Sequence, residues 1–282
     1  MLIKLGLLLV ALSWFSYTLY TFAIGSIHQI VIFTDMPATV GLGFRTSAGL
    51  IAVITILFHL VKKDVATQET LISVRWVVLL EALYYLTFIP SAIWGLTTEF
   101  ELYPRELLLT STGLPCLLEA VIIPLVLAKL FLQLSPEKPT TGVIKWGCIS
   151  GVVYILVFWF NYTMQWVAAI IHMGIGFVTL YPINAFSFIL TAVGLFVLTL
   201  YAAVSFKKIS GKNALTRVEL KRAGVIITLL GLYFDLTLLL WLLFGSVGGY
   251  NMWHTFFIFH NVDLWSLTLP LAGLPLLFQK SN

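Results

Sequence analysis

Charge is scarce in this chain. Only 10% of its 282 residues are Asp, Glu, Lys or Arg, against roughly 25% in a soluble domain. That scarcity excludes a water-soluble fold. With 60% hydrophobic residues it also excludes a disordered chain. No polar stretch is long enough to form a soluble domain, so no ATP-driven motor is encoded here. Cysteine is nearly absent: Cys116 and Cys148 fall in different apolar segments at different depths, which excludes a disulfide framework. The sequence contains no G-x-x-x-x-G-K-[ST], H-E-x-x-H, C-x-x-C or D-x-x-D pattern. No Lys sits mid-segment, which removes a retinal Schiff base, and no regular Arg ladder suggests a voltage sensor.

What is there is apolar length. A helix crosses ~30 Å of hydrocarbon with ~20 apolar residues. Eight segments qualify: Leu5–His28, Ala38–Val61, Leu71–Gly95, Leu107–Phe131, Trp146–Ile171, Ile183–Phe206, Arg222–Phe244 and Phe256–Phe278. Their runs are continuous rather than alternating, so helices are expected and barrel strands are not. The expected fold is all-α and integral to the membrane.

The net charge of +4 describes topology rather than a nucleic-acid partner. If the N-terminal end of the first span faces the cytoplasm, 14 of the 16 basic residues fall on that side, and only Arg45 and Arg105 do not. The acidic loop with Glu99, Glu101 and Glu106 falls opposite. The positive-inside rule then puts both termini on the cytoplasmic side of a multi-pass cell-membrane protein. The first span reads as a retained helix, since its apolar part is long for a signal peptide. The Asn161-Tyr162-Thr163 sequon falls inside a span and reads as coincidence. Most of the nine Trp read as interfacial belt residues.

The chain also matches itself at an offset of 145 residues. Trp14-Phe15-Ser16-Tyr17-Thr18 falls on Trp159-Phe160-Asn161-Tyr162-Thr163, Pro37 on Pro182, and Lys62-Lys63 on Lys207-Lys208. Over positions 6 to 63 there are 14 identities in 58 pairs. Farther on the offset drifts, with Leu83-Tyr84 resembling Leu232-Tyr233 and Pro124 resembling Pro275. The expectation is two four-helix repeats, 1–140 and 141–282, in parallel orientation about a pseudo-twofold along the membrane normal. The register also resolves residues 146–206, which contain no charged residue, into two spans rather than three.

Charged groups inside a bilayer are costly and mark candidate functional sites. At 1.5 Å per residue from the basic anchors, Glu119 lies ~15 Å deep, near the midplane. Asp235 lies ~20 Å from the cytoplasmic face, and Arg45 and Asp263 both ~25 Å. Glu81 falls in the cytoplasmic half. These five form the candidate polar or ion site, and shared depth suggests that Arg45 pairs with Asp263 or, a turn lower, Asp235. Glu119 lies between Pro115 and Pro124, which free the carbonyls of Ser111 and Ala120 from helical bonding. Freed carbonyls beside a midplane carboxylate suit a cation or proton site as well as a kinked helix with a protonated Glu. Asp235 lies on the small-residue stripe Gly224, Thr228, Gly231, which marks close helix packing.

Four of the five histidines, His28, His172, His254 and His260, fall on the outer side. Imidazoles with nearby Asp35 and Asp263 could hold a metal, and paired imidazoles a haem, although no recognised ligand spacing is present. Three functions stay open: movement of a small solute or ion, with proton coupling through Glu119 and Asp235; a membrane redox or lipid-active enzyme using the outer histidines; and a structural subunit beside other membrane proteins. The lipid bilayer is a partner in all three.

Overall fold

The computed structural model describes residues 2–32, 36–61, 68–90, 92–93, 114–135, 137, 139–180, 182–210, 212, 216–244 and 264–278. Among them there is no strand. The helices are α1 (Leu2–Ile32), α2 (Met36–Val61), α3 (Gln68–Leu86), α4 (Leu114–Gln133) and α5 (Thr140–Met173). There follow a short α6 (Gly176–Thr179), α7 (Pro182–Ile189), a π-helical stretch Leu190–Leu195, α8 (Phe196–Ile209), α9 (Arg217–Phe244) and α10 (Leu264–Leu277).

Six helices among the described residues are long and apolar enough to cross a membrane. The charge-free stretch 146–206 contributes two of them, Thr141–Ile171 and Asn184–Ile209. Outward faces are as apolar as inward ones: Ile54, Leu125, Val193, Val197 and Val204 are all more than half exposed. In water such a surface would aggregate; in hydrocarbon it is the solvated face. Hydroxyl groups on these helices bond inward to their own backbone. Thr46 donates to the Leu42 carbonyl, Thr55 to Ile51, Thr191 to Ser187 and Thr199 to Leu195. Each bond satisfies a donor that lipid would leave bare.

The helices pack in chain order. α1 packs on α2, α2 on α3, α3 on α4, and α4 on α5. From α5 the series runs through α8, α9 and α10, and α10 packs back on α1, which closes a ring. Two joints depend on glycine. A Cβ at Gly6 would fall 2.4 Å from the Leu271 carbonyl oxygen, so only glycine permits α1 to lie this close to α10. Gly174, at φ 78°, stops α5, and its amide bonds the Ile170 carbonyl; the left-handed region is open to glycine at little cost.

The buried apolar residues fall into three clusters along the ring. Leu8, Ala11 and Val53 join α1 to α2. Ile155, Leu195, Leu198, Ala202, Ile226 and Tyr233 join α5, α8 and α9. Tyr84, Tyr85, Ile123 and Val157 join α3, α4 and α5. The third cluster carries the polar groups.

Candidate functional site

Arg45 is a buried cation, at 7% exposure on α2. Its Nε lies 3.5 Å from Glu81 Oε1 on α3. One turn further along α3, Tyr84 accepts a hydrogen bond from Arg45 Nη1 at 3.1 Å. The guanidinium carbon also stands 4.5 Å from the Tyr84 ring centroid. Glu81, Tyr84 and Tyr85 are spaced i, i+3, i+4, which puts all three on one face of α3. A planar cation with several donors suits this mixture of carboxylate, hydroxyl and aromatic face better than an ammonium would.

Tyr85 extends the cluster to α5. Its hydroxyl donates to the Tyr154 hydroxyl at 2.7 Å, and the two rings meet edge to face. Two turns along α5 from Tyr154, Asn161 donates from Nδ2 to Glu119 Oε2 on α4 at 2.6 Å. Tyr85 and Tyr154 both lie within electrostatic reach of Arg45, Glu81 and Glu119. Four adjacent helices thus supply one network: Arg45 from α2, Glu81, Tyr84 and Tyr85 from α3, Glu119 from α4, and Tyr154 and Asn161 from α5. Pro124 lies inside α4, five residues beyond Glu119, and is buried with Ala120. Pro115 is in the first described turn of α4, and Ser111 lies outside the described residues.

Among the described residues one guanidinium stands with two carboxylates: Glu81 pairs with Arg45, and Glu119 accepts from a neutral amide.

An aromatic path leads away from this network. Tyr154 contacts Phe158, Phe158 stacks on Tyr162, and Phe234 on α9 stands edge-on to both. Phe234 contacts Tyr233, whose hydroxyl lies 2.9 Å from Thr191 Oγ1. Thr191 spends its proton on the Ser187 carbonyl, so Tyr233 is the donor of that pair. Thr191 begins the second residue of the π-helical stretch. A π turn disrupts the regular bonding of the helix, and the Ala192 carbonyl there accepts the Trp159 indole N–H at 2.9 Å.

Three of the five residues expected in the polar site, Arg45, Glu81 and Glu119, come together. Arg45 forms its ion pair with Glu81 on the next helix. Asp263, its expected partner by depth, lies outside the described residues. Asp235 is on α9 with Oδ1 buried and lacking a hydrogen bond among the described residues. The packing role expected of its stripe is visible: a Cβ at Gly224 would fall 2.9 Å from the Gly273 carbonyl oxygen, and one at Gly231 2.4 Å from Pro270. The backbones of His28 and His172 belong to α1 and α5, with side chains outside the described set, and His254 and His260 lie outside the described residues. Among the described residues no group of three His, Cys, Asp or Glu is placed to hold a metal ion.

Tyr84, Tyr85, Tyr154 and Asn161 were not expected at the site. The signal existed: Tyr154, Phe158, Asn161 and Gln165 follow helical spacing on one face of a span that has no charge at all. Asn161 was obscured by its place in an apparent glycosylation sequon. Compared with protein families, with curated proteins and with solved structures, the chain matches none.

Proposed function

We propose that the protein moves a small solute or ion across the cell membrane, with a proton carried at Glu119. In this reading eight spans form two parallel four-helix repeats, with both termini cytoplasmic. The observation that carries it is the unequal charge count, among the described residues, at the buried network. Burying three ionisable groups costs several kcal/mol by most scales, more than packing alone requires, and one carboxylate is left over to exchange its counter-charge. Arg45 and Glu81 act as the fixed part, and Glu119 with Asn161 as the variable part.

The repeat rests on the 14 identities in 58 pairs at the 145-residue offset. A site held by helices from both sides of residue 140, as Glu119 and Asn161 are, suits a device in which one repeat moves against the other.

The test is solute-linked proton movement in vesicles. Purified protein is reconstituted with a pH-sensitive dye inside and exposed to sodium, potassium, chloride, glycine and small amine salts, with empty vesicles as control. The expected result is proton movement with at least one solute, lost in Glu119→Gln while the variant unfolds at the wild-type temperature. Wild-type vesicles that respond to no solute, or a Glu119→Gln variant that responds fully, would overturn the reading.

A further inference from the structure

We infer that the cargo of this site is a small organic amine, held as its ammonium ion by Glu119, Asn161 and Gln165. The inference rests on the transport reading above and supplies its substrate class. Asn161 spends its Nδ2 on Glu119, and its Oδ1 is buried with no hydrogen bond among the described residues. Gln165, one turn further along the same face of α5, also buries Oε1 with no hydrogen bond among the described residues. Unmet carbonyls in an apolar bundle are costly and rare. Two on one face, with Asn161 bonded to a carboxylate, make a set of acceptors with no bonded donor among the described residues.

The missing group must therefore donate several hydrogen bonds and carry positive charge. The carboxylate disfavours an anion, and the Arg45 guanidinium is engaged by Glu81 and Tyr84. A primary ammonium has three N–H donors, one each for Glu119, Asn161 and Gln165. The same stretch of α5 brings Phe158 and Tyr162, and α9 adds Phe234 edge-on to both. Aromatic rings on the turns of α5 that carry Asn161 favour an organic cation over a bare metal ion, because they attract the charge and also accept an apolar body.

Binding exchanges one cation for another. The Glu119 O–H bond breaks, its proton leaves to solvent, and the electron pair stays on the carboxylate that faces the ammonium. The site is neutral before and after. Amine and proton therefore compete, as an antiporter requires.

The experiment is titration calorimetry of the full chain in micelles below neutral pH. The probe is phenethylamine, compared with 2-phenylethanol and with sodium and potassium chloride. Two buffers of different ionisation enthalpy count the protons released. The expected result is saturable phenethylamine binding with one proton released, and no comparable binding of the alcohol or the salts. Gln165→Met and Asn161→Leu remove an acceptor at similar volume and should each weaken binding by about tenfold or more; Gln165→Ala serves if either fails to fold. Equal binding of the alcohol, no proton release, unchanged affinity in the folded Gln165 variant, or no binding by wild type would overturn the inference. Glu119-dependent proton movement with a non-amine solute would sink the amine and leave the transport reading standing. Amine binding with proton release but no movement in vesicles would do the reverse.

Discussion

Tyr84 on α3 and Tyr233 on α9 occupy matching places in the sequence register, and each sends its hydroxyl to the preceding long helix. Tyr84 meets the Arg45 guanidinium, whereas Tyr233 meets the Thr191 hydroxyl. Each is followed by a second aromatic residue packed edge to face, Tyr85 at 5.0 Å and Phe234 at 5.3 Å between ring centroids. The local frame is the same, but one side is charged and the other neutral. Arg45 falls on Leu190 in the 145-residue register, and Glu81 on Leu230 at the offset of 149 that pairs the two tyrosines, so two positions separate the charged version from the neutral one. Tyr85 keeps a hydroxyl for Tyr154, while Phe234 has none to offer. The comparison teaches that the frame does not require the charge.

The largest expected effect comes from making the first region resemble the second. Arg45→Leu leaves Glu81 in the core without its cation, which costs about 3–5 kcal/mol. Arg45→Leu with Glu81→Leu should recover most of that loss, so the double variant falls far short of the sum of the singles. Unfolding in micelles measures all three. Additive losses would show that the two side chains are not coupled.

A smaller effect separates the two tyrosines. Tyr84→Phe removes an acceptor from a charged donor and should cost about 1.5–3 kcal/mol, whereas Tyr233→Phe loses a neutral bond worth about 0.5–1.5 kcal/mol. The same unfolding measurement ranks them, and equal losses would erase the distinction between charged and neutral versions.

The smallest effect is at the basic edge of the bundle. There Lys4 donates to the His59 carbonyl and ties α1 to the end of α2. In the other region Lys212 pairs with Glu219, whose carboxylate also accepts the Thr216 amide in a capping box. Lys212, with help from that amide, holds the Glu219 carboxyl down from its ordinary 4.5 to about 2. A group with a lowered value stabilises the fold above its ordinary range and loses that contribution as pH falls through the lowered one. Amide exchange in the first turn of α9 should therefore quicken between about 4.5 and about 2, and Glu219→Gln should flatten the response. No such step should appear at the Lys4–His59 tie, where the acceptor is a carbonyl.

Much of this was legible in the sequence, for definite reasons. Apolar length marked the helices, because lipid leaves the backbone no partner but itself. Arg45, Glu81 and Glu119 stood out because charge is expensive at those depths. The pairing of Arg45 with Glu81 was not legible. Depth suggested Asp263, which lies outside the described residues; rotation about each helix decides which face a charge meets, and distance from an anchor does not fix rotation. Asn161 was missed because an uncharged amide leaves no mark in a charge count. The tyrosines were missed because an aromatic stripe in a membrane helix usually means packing.

The closed ring has a bearing on how the protein is made. Every long helix after the first packs on one that left the ribosome shortly before it, so most of the bundle assembles from contacts near in sequence, which form early. The exception is the joint between α10 and α1, where Gly6 receives Leu271. That joint waits until α10 has been made. Until then the first helix has an unfilled flank, and a narrow glycine notch is held open for a segment that does not yet exist.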